Sequence, residues 1–287
     1  MCNKKENSEG KANCINLLAT IQHKEVNLQT ERVNIPGQAF RTLVTYRNIT
    51  QLHVRLVKMD KKTRTSLGND TWGDGYWKKL IGLPVLKTFT QSLPDTKDYQ
   101  QHRIEIKADG LPVGEYAFLV SANKEFGFTN NPLAIQQFYV SNLAYINKDK
   151  DYFVLDRETG APIARAAVQV WYRNYDYNAS KEVERQGENM FTDKNGYFTL
   201  YPPKTNSNNY FRIEISTKED RLSLDEFQYN YQRGETPPAT SSNQSFLFTD
   251  RSIYRPGQII YFKGIVLNRR EGPIKMQCWP ISLPPWH

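Results

Sequence analysis

FLFTDRSIYRPGQIIYFKGIVLN, residues 246–268, is the stretch that decides the fold class of this 287-residue chain. An apolar and aromatic run enters a Pro-Gly turn, and a second such run, IIYFKGIVL, leaves it. β-branched and aromatic residues favour strands. Pro fixes φ and Gly accepts a positive φ, so the pair favours a tight reversal of the chain. The stretch therefore predicts the opening strands of a β-domain.

The same layout occurs once before in the chain. TERVNIPGQAFRTLV starts at Thr30 and TDRSIYRPGQIIYFKGIV starts at Thr249. Each has Thr, an acid and Arg, then a Pro-Gly-Gln turn, then a strand-like run. The two Pro-Gly turns lie 220 positions apart. A layout that recurs in this way indicates a string of related domains.

Residues 25–146 are predicted to form the first β-sandwich. AFRTLVTY, QLHVRLVKM and LKTFTQSL are strand-like, and HRIEIKA and EYAFLVSA alternate on either side of the turn DGLPVG. AIQQFYVSNLAYI is predicted as the closing strand, and TSLGNDTWGDGYWKKLIGLPV as a long irregular loop with one helical turn. Short strands joined by turns favour an antiparallel sandwich.

A second sandwich is predicted for residues 150–233, after a linker, NKDKD, at 147–151. In it AAVQVWY alternates, and MFTDKNGYFTLYPP reads as a hairpin with its turn at 193–196, where Asn-Gly supplies a positive φ. The other predicted segments are a polar N-terminus with a short helix (1–24), a linker (234–245), the opening strands of a truncated third domain (246–270) and a non-native tail (271–287). The predicted fold class is all-β, with tandem antiparallel immunoglobulin-like or transthyretin-like sandwiches.

Charge and cysteine content exclude several classes of protein. The net charge of +8 is spread along the chain, whereas a nucleic-acid-binding protein concentrates it on one face, so no nucleic-acid partner is expected. Cys2, Cys14 and Cys278 lie in polar or irregular segments, so none is placed to link a core. The longest apolar runs are strand-sized, so no membrane span is expected. The N-terminus lacks the apolar segment of a secretion signal, which indicates a cytosolic protein or a piece of a longer precursor.

FTDRSIYRPGQIIYFKGIV resembles the entry strand of a macroglobulin domain in the alpha-2-macroglobulin family. The family pattern is an acid and a basic residue, Ile-Tyr, then Pro-Gly-Gln, carried here by Asp250, Arg251, Ile253, Tyr254, Pro256, Gly257 and Gln258. VLDRETGAPIARAAVQVW with TDKNGYFTL resembles a carboxypeptidase-regulatory-like, transthyretin-type sandwich. The order of segments over residues 15–270 resembles the N-terminal region of a large bacterial macroglobulin-like envelope protein.

The resemblance implies a non-catalytic scaffold fragment of an endopeptidase inhibitor of the cell envelope. The family's covalent protease trap needs a Gly-Cys-Xaa-Glu-Gln motif, which this sequence lacks. Proteases are therefore expected as partners only of the full-length protein, which is expected to be periplasmic or on the cell surface, with a lipid anchor left open. No enzyme activity, cofactor or metal is expected. The truncated third domain is expected to pack on a neighbouring domain or to self-associate.

Two alternatives from other classes stay open. Trp72, Tyr76 and Trp77 could form an exposed platform that stacks on a polysaccharide or surface partner, although a loop pinned onto the sandwich by its own aromatic residues is the favoured explanation. A plain envelope spacer would need no ligand. Other patterns are expected to be structural: the Asp70 and Asp74 pair, the calcium-like FTDKNGYF turn, and the histidines, His23, His53, His102 and His287.

Overall fold

The structure is a computed structural model that describes residues 9–67, 73–176, 181–201, 210–224, 227–229, 241–251, 253–255, 257–270 and 275–277. The chain divides into two compact units, Met1–Val140 and Ser141–His287. The helices are α1 (Glu9–Gln22), α2 (Lys61–Leu67) and α3 (Gly73–Ile81).

The strands of the first unit are β1 (Glu25–Thr30), β2 (Val33–Asn34), β3 (Phe40–Arg47), β4 (Gln51–Lys58), β5 (Val85–Ser92), β6 (His102–Ala108), β7 (Gly114–Ser121) and β8 (Leu133–Val140). Those of the second unit are β9 (Leu143–Lys148), β10 (Asp151–Asp156), β11 (Ala167–Asp176), β12 (Lys181–Phe191), β13 (Tyr197–Thr199), β14 (Tyr210–Ser216), β15 (Arg221–Ser223), β16 (Gln228–Tyr229), β17 (Ser241–Thr249), β18 (Phe262–Arg270) and β19 (Lys275–Gln277).

The first unit is a sandwich of a three-stranded sheet, β1-β3-β6, and a five-stranded sheet, β2-β8-β7-β4-β5. All pairings are antiparallel except that of β2 with β8. The core between the sheets is aromatic: the ring centroids of Phe118 and Phe138 lie 4.8 Å apart, and Phe40 packs 5.2 Å from Phe138. Alternation along β3 and β4 buries Val44 and Val54 and turns their neighbours outward, as the period-two pattern predicted.

The stretch predicted as a long irregular loop with one helical turn, residues 65–85, is more helical than predicted, because it contains the end of α2 and all of α3. Asp60 caps α2, since its Oδ1 accepts a hydrogen bond from the backbone N–H of Thr63 at 2.9 Å, and this bond lowers the pKa of Asp60. The helices cover the outer face of the five-stranded sheet: Leu67 and Leu80 are buried in one apolar cluster with Leu119. Tertiary packing of these leucines therefore stabilises more helix than the local sequence indicated.

The short helix predicted near the N-terminus is confirmed as α1. It is held at its C-terminal end by Asn48, whose Nδ2 donates to the carbonyl oxygens of Ile21 at 2.7 Å and His23 at 2.8 Å. No residue of α1 is buried. Within the described parts of the chain, no helix is long and apolar enough to cross a membrane.

The second unit holds a three-stranded sheet, β13-β10-β9, and a five-stranded sheet, β12-β11-β14-β15 with β16 on β14. A third sheet has the order β17-β18-β19. The pairings in these sheets are antiparallel. Hydrogen bonds join the first two sheets: Gln228 Nε2 donates to the Tyr145 hydroxyl at 2.8 Å, and the Tyr152 hydroxyl donates to Gln228 Oε1 at 3.4 Å. All-β antiparallel sandwich architecture, the predicted fold class, is confirmed.

Strand β10 is buried on both faces, which explains why its sequence, DYFVLD, is a continuous apolar run and does not alternate. Tyr152 stacks on Phe198 at 5.0 Å and Val154 is fully buried. Its other face packs Phe153 and Leu155 against Ile265 of β18. One face of the β17–β18 hairpin therefore packs on the neighbouring sheet of the same unit, whereas the prediction for the residues after about 240 was packing on a neighbouring domain or self-association.

Several predicted boundaries differ from the structure. NKDKD is the turn of the β9–β10 hairpin, with Asp149 at a φ of 52°, so the predicted closing strand is two strands, β8 and β9. β17 begins inside the predicted 234–245 linker because its first residues pair with the end of β18. The turn at 193–196 exists, but its flanking strands enter different sheets, β12 with β11 and β13 with β10. That turn is a corner between two sheets and the predicted hairpin is wrong.

Candidate functional site

Two of the three residues of the predicted aromatic loop, Tyr76 and Trp77, lie on α3 with half-buried rings. Tyr76 and Trp77 meet edge to face, with ring centroids 6.4 Å apart, and both pack against the apolar cluster that holds Leu80. Burial raises the pKa of Tyr76. Trp72 and Asp70 lie outside the described residues, and Asp74 is exposed in the first turn of α3. Glycan stacking on Trp72, Tyr76 and Trp77 remains a prediction.

The Asp250 carboxylate closes the loop between β17 and β18. Its Oδ1 accepts hydrogen bonds from the Tyr254 hydroxyl and from the backbone N–H of Tyr261, the second at 3.1 Å. The backbone N–H of Asp250 donates to the Tyr261 carbonyl oxygen at 3.0 Å, and the backbone N–H of Arg251 donates to the Tyr254 hydroxyl at 3.1 Å. Burial and the hydrogen bond to Asp250 raise the pKa of Tyr254. One carboxylate thus holds both ends of the loop.

The Pro-Gly-Gln turn is closed within the same loop. The backbone N–H of Gln258 donates to the Arg255 carbonyl oxygen at 3.1 Å, and the Gln258 side-chain Oε1 accepts from the Arg255 backbone N–H at 2.8 Å. Gly257 has a φ of 82°, the left-handed value that a turn of this kind needs at its third residue. Pro256 lies outside the described residues.

The earlier copy of the motif has the same turn and the same strand pairing. Gln38 N–H donates to the Ile35 carbonyl oxygen at 3.4 Å, and Gly37 has a φ of 71°. β1 pairs with β3 on either side of this turn, just as β17 pairs with β18 on either side of the other. The two copies differ in the burial of one face of the strand pair. In the first copy, β1 and β3 contribute Leu28 and Val44 of this face to the sandwich core.

The corresponding face of the β17–β18 hairpin is exposed. By register, Leu247 faces Gly264 as Leu28 faces Val44, and Leu247 is 68% exposed. Other large apolar side chains exposed in this region are Phe248, Ile259, Ile260 and Tyr261. Phe248 lies on the opposite side of β17 from Leu247, because successive strand residues point to opposite faces, and it shares that side with Phe246, which packs against Ile265. We call Leu247 and the loop residues Ile259, Ile260 and Tyr261 the uncovered face. The strand IIYFKGIVL was predicted to start at Ile259 but starts at Phe262, because Tyr261 is bonded to Asp250.

Histidines and acids of the described residues make local hydrogen bonds. His102 Nε2 lies 2.9 Å from Asp98 Oδ1, which also accepts from the Gln100 backbone N–H at 3.0 Å, and these bonds, the one from His102 foremost, lower the pKa of Asp98 to about 2. In the calcium-like turn, Asp193 Oδ1 accepts from the backbone N–H groups of Asn195 and Tyr197. No group of three or more His, Cys, Asp or Glu among the described residues is placed to hold a metal ion.

A cluster that the sequence did not indicate lies on the outer face of the five-stranded sheet of the second unit. The Arg173 guanidinium lies 3.8 Å from the ring centroid of Phe227, and the Arg212 guanidinium lies 5.8 Å from that ring and 5.3 Å from Trp171. We call these four residues the ladder. Alternation in AAVQVWYRN separates Trp171 and Arg173 from the core side of β11, but only the register brings Arg212 beside Trp171.

Comparison with known proteins gives structural neighbours only. No family model and no curated protein matches the chain. It is similar to a native alpha-2-macroglobulin from Escherichia coli spanning domains NIE to MG1, at 15% identity and a TM-score of 0.43, over 70% of this chain and 98% of that one. A trypsin-activated alpha-2-macroglobulin from E. coli matches at 10% identity and a TM-score of 0.30, over 91% of this chain and 21% of that one. Red sea bream transglutaminase matches at 8% identity and 0.30, over 78% and 34%.

Two of these neighbours are bacterial alpha-2-macroglobulins, the family that the residues around Pro256 resemble in sequence. The chain spans about a fifth of the length of the trypsin-activated E. coli protein.

Proposed function

We propose that this chain is a non-catalytic scaffold fragment of a large bacterial alpha-2-macroglobulin-like endopeptidase inhibitor of the cell envelope. The observation that carries the proposal is the repeated hairpin. Two segments with the same Thr, acid and Arg entry form the same glycine turn between the same kind of antiparallel strand pair. A repeat of this kind is typical of a chain built from serial β-domains.

The side chains of the motif support a structural role. The polar groups of three motif residues form hydrogen bonds within the loop itself, to one another and to backbone groups. These residues are Asp250, Tyr254 and Gln258. Groups used in this way fix the entry of a strand and leave little for a substrate. The sequence also lacks the Gly-Cys-Xaa-Glu-Gln motif of a covalent trap. In this proposal the chain has no enzyme activity and proteases meet it only within the longer protein.

Periplasmic or surface location is part of the same proposal, because a protease inhibitor of this class works where foreign proteases arrive. The uncovered face gives the fragment a second expected behaviour. Exposed apolar groups on a sheet favour association with another apolar surface. We propose that the isolated chain self-associates through this face, whereas in the longer protein further chain covers it.

An inhibition assay tests the proposal. The purified chain is mixed in molar excess with trypsin and with elastase, and cleavage of a protein substrate is followed. The proposal expects undiminished cleavage, because the chain lacks the reactive part of a trap. Stoichiometric inhibition of either protease would refute the non-catalytic scaffold role.

A further inference from the structure

The five-stranded sheet of the second unit presents a polar and aromatic outer face. Along β11, Val168, Val170 and Tyr172 are buried, so the alternate residues Trp171 and Arg173 lie on the opposite face. Residues of the neighbouring strands that lie on this outer face by register are Glu182, Glu184 and Gln186 of β12 and Tyr210, Arg212 and Glu214 of β14.

A β-bulge in β12 sets which of its residues lie on this outer face, so that Gln186 pairs with Trp171 and Glu184 with Arg173. The register shifts between Gln169 and Trp171, so that β12 carries one extra residue there. Gly187 lies at the bulge, and a side chain on it would clash with the Tyr172 ring. The Gln169 Nε2 donates to the carbonyl oxygens of Gly187 at 3.0 Å and Glu188 at 3.1 Å. The Gln186 Nε2 donates to Gln169 Oε1 at 2.8 Å, so a pair of amides lies beside the ladder.

The cations of the face are neutralised by carboxylates. Arg212, which is 3% exposed, donates to Glu184 Oε2 at 2.8 Å and to Ser223 Oγ at 2.9 Å. Arg173 lies 3.1 Å from Glu182 and Arg221 lies 2.9 Å from Glu214. Three arginines thus face three glutamates, which leaves no excess charge to attract an anionic ligand such as nucleic acid or phosphate.

Two tyrosine rings stand exposed beside the ladder. Tyr175 is 51% exposed on β11, and Tyr210 is 50% exposed on β14 opposite Arg173. Both rings lie at one end of the ladder, because Tyr210 pairs with Arg173 and Tyr175 is two residues beyond Arg173 on the same face. At the other end, Glu184 and Ser223 hold the buried Arg212 guanidinium beside Trp171. Exposed aromatic rings, planar amides and paired charges on one sheet provide stacking surfaces together with hydrogen-bond donors and acceptors at fixed positions.

We propose that this outer face, centred on Trp171, Tyr175 and Tyr210, binds a neutral glycan chain. Sugar rings offer a C–H face that packs on aromatic rings and an equatorial rim of hydroxyls that both donate and accept hydrogen bonds. The ion pairs of Arg173 with Glu182 and of Arg221 with Glu214, together with Gln186, match hydroxyls better than they match a charged group, whereas the buried Arg212 only holds Glu184 in place. The site differs from the Trp72–Trp77 loop, since it lies in the other unit of the chain.

Titration of the full chain with cellohexaose, laminarihexaose and mannohexaose tests this site, with tryptophan fluorescence and calorimetry as readouts. At least one of these neutral glycans is expected to bind and to shift the fluorescence. Tyr175→Ala and Tyr210→Ala should each weaken binding about tenfold, because each removes one stacking surface. Both rings are half exposed, so circular dichroism should show unchanged folding in both variants.

Tyr99→Ala is the matched control, because Tyr99 is 52% exposed in the first unit and should leave the affinity unchanged. The site is overturned if none of the three glycans binds at millimolar concentration, or if Tyr175→Ala and Tyr210→Ala bind as tightly as the parent. A heparin hexasaccharide that binds more tightly than the neutral glycans would also overturn it. Glycan binding here neither needs nor excludes the scaffold role, so the protease assay and this titration can fail separately.

Discussion

At the scale of single residues, Asp250 organises the loop that joins β17 to β18. A single oxygen of its carboxylate, Oδ1, accepts hydrogen bonds from the Tyr254 hydroxyl and from the Tyr261 backbone N–H. The sequence indicated that Asp250, Tyr254 and Gly257 belong to one strand-entry motif. It gave no sign of Tyr261, because that residue lies within the run that alternation assigned to a strand.

Removing the Asp250 carboxylate should free the Tyr261 amide. Since a single hydrogen bond contributes about 1 kcal/mol, Asp250→Ala should speed hydrogen exchange of that amide about fivefold. Asp250→Asn keeps an acceptor oxygen and is the matched control, with an exchange rate near the parent's. Unchanged exchange in the Ala variant would show that the carboxylate does not hold the loop.

A second residue-scale prediction concerns acid titration of Asp98. The hydrogen bond with His102, with further bonds from Gln100 and Thr96, depresses the pKa of Asp98 to about 2 in the folded chain. A depressed carboxyl pKa stabilises the fold above the unfolded value of about 3.9, and this contribution is lost as pH falls towards 2.

Carbon-detected NMR of the Asp98 carboxyl should therefore give a titration midpoint near 2. His102→Ala should raise the midpoint towards the ordinary value, because it removes the largest cause of the shift. Tyr99→Ala leaves the His102 contact in place and should not move the midpoint. A parent midpoint near the ordinary aspartate value would contradict the described contact.

At the scale of elements, glycine turns position the sheets of the second unit. Gly196 has a φ of 70°, and a Cβ on it would clash with the carbonyl oxygen of Val154 in β10. Gly160 has a similar φ of 74°, but a Cβ there would meet nothing within 4 Å. Alanine substitutions at Gly196 and at Gly160 therefore separate the cost of a left-handed φ, which both share, from the cost of a steric clash, which only Gly196 has.

Gly160→Ala should lower the free energy of unfolding by about 1 kcal/mol, the cost of a left-handed residue with a side chain. Gly196→Ala should lower it by about 3 kcal/mol, since the corner against β10 must also move. Urea unfolding of both variants measures the difference. Equal losses would mean that the 193–196 corner does not pack against β10 as described.

Strands could be predicted from the sequence where apolar and polar residues follow a pattern within the strand itself. Alternation located β3, β4 and β6 in the sequence, because each buries one face in the same core, and the apolar run of β7 located a strand that is buried on both faces. The helix α2 was missed, and α3 was predicted only as one helical turn within a loop, since KKTRTSL has no strong helix pattern and both helices are stabilised by packing of Leu67 and Leu80 in one cluster with Leu119 of β7. The sheet assignment of β13 was also missed, because strand partners depend on distant register.

At the scale of the whole molecule, the uncovered face predicts association of the isolated chain. Sedimentation velocity should show a dimer or larger species that grows with concentration, because Leu247, Ile259 and Ile260 are exposed together. The double variant Ile259→Ser and Ile260→Ser should shift the chain towards monomer. Leu17→Ser, which removes an apolar side chain that is 61% exposed on α1, is the matched control and should not. A parent that stays monomeric at every concentration would refute self-association.

The central claim, a scaffold fragment of a macroglobulin-like inhibitor, is tested most directly by sequencing the source gene past codon 270, in all three frames, because residues 271–287 are predicted to be a non-native tail. The account predicts a continuous frame that encodes further β-domains and a Gly-Cys-Xaa-Glu-Gln motif. A native gene that stops at His287, or continues into unrelated sequence, would contradict it.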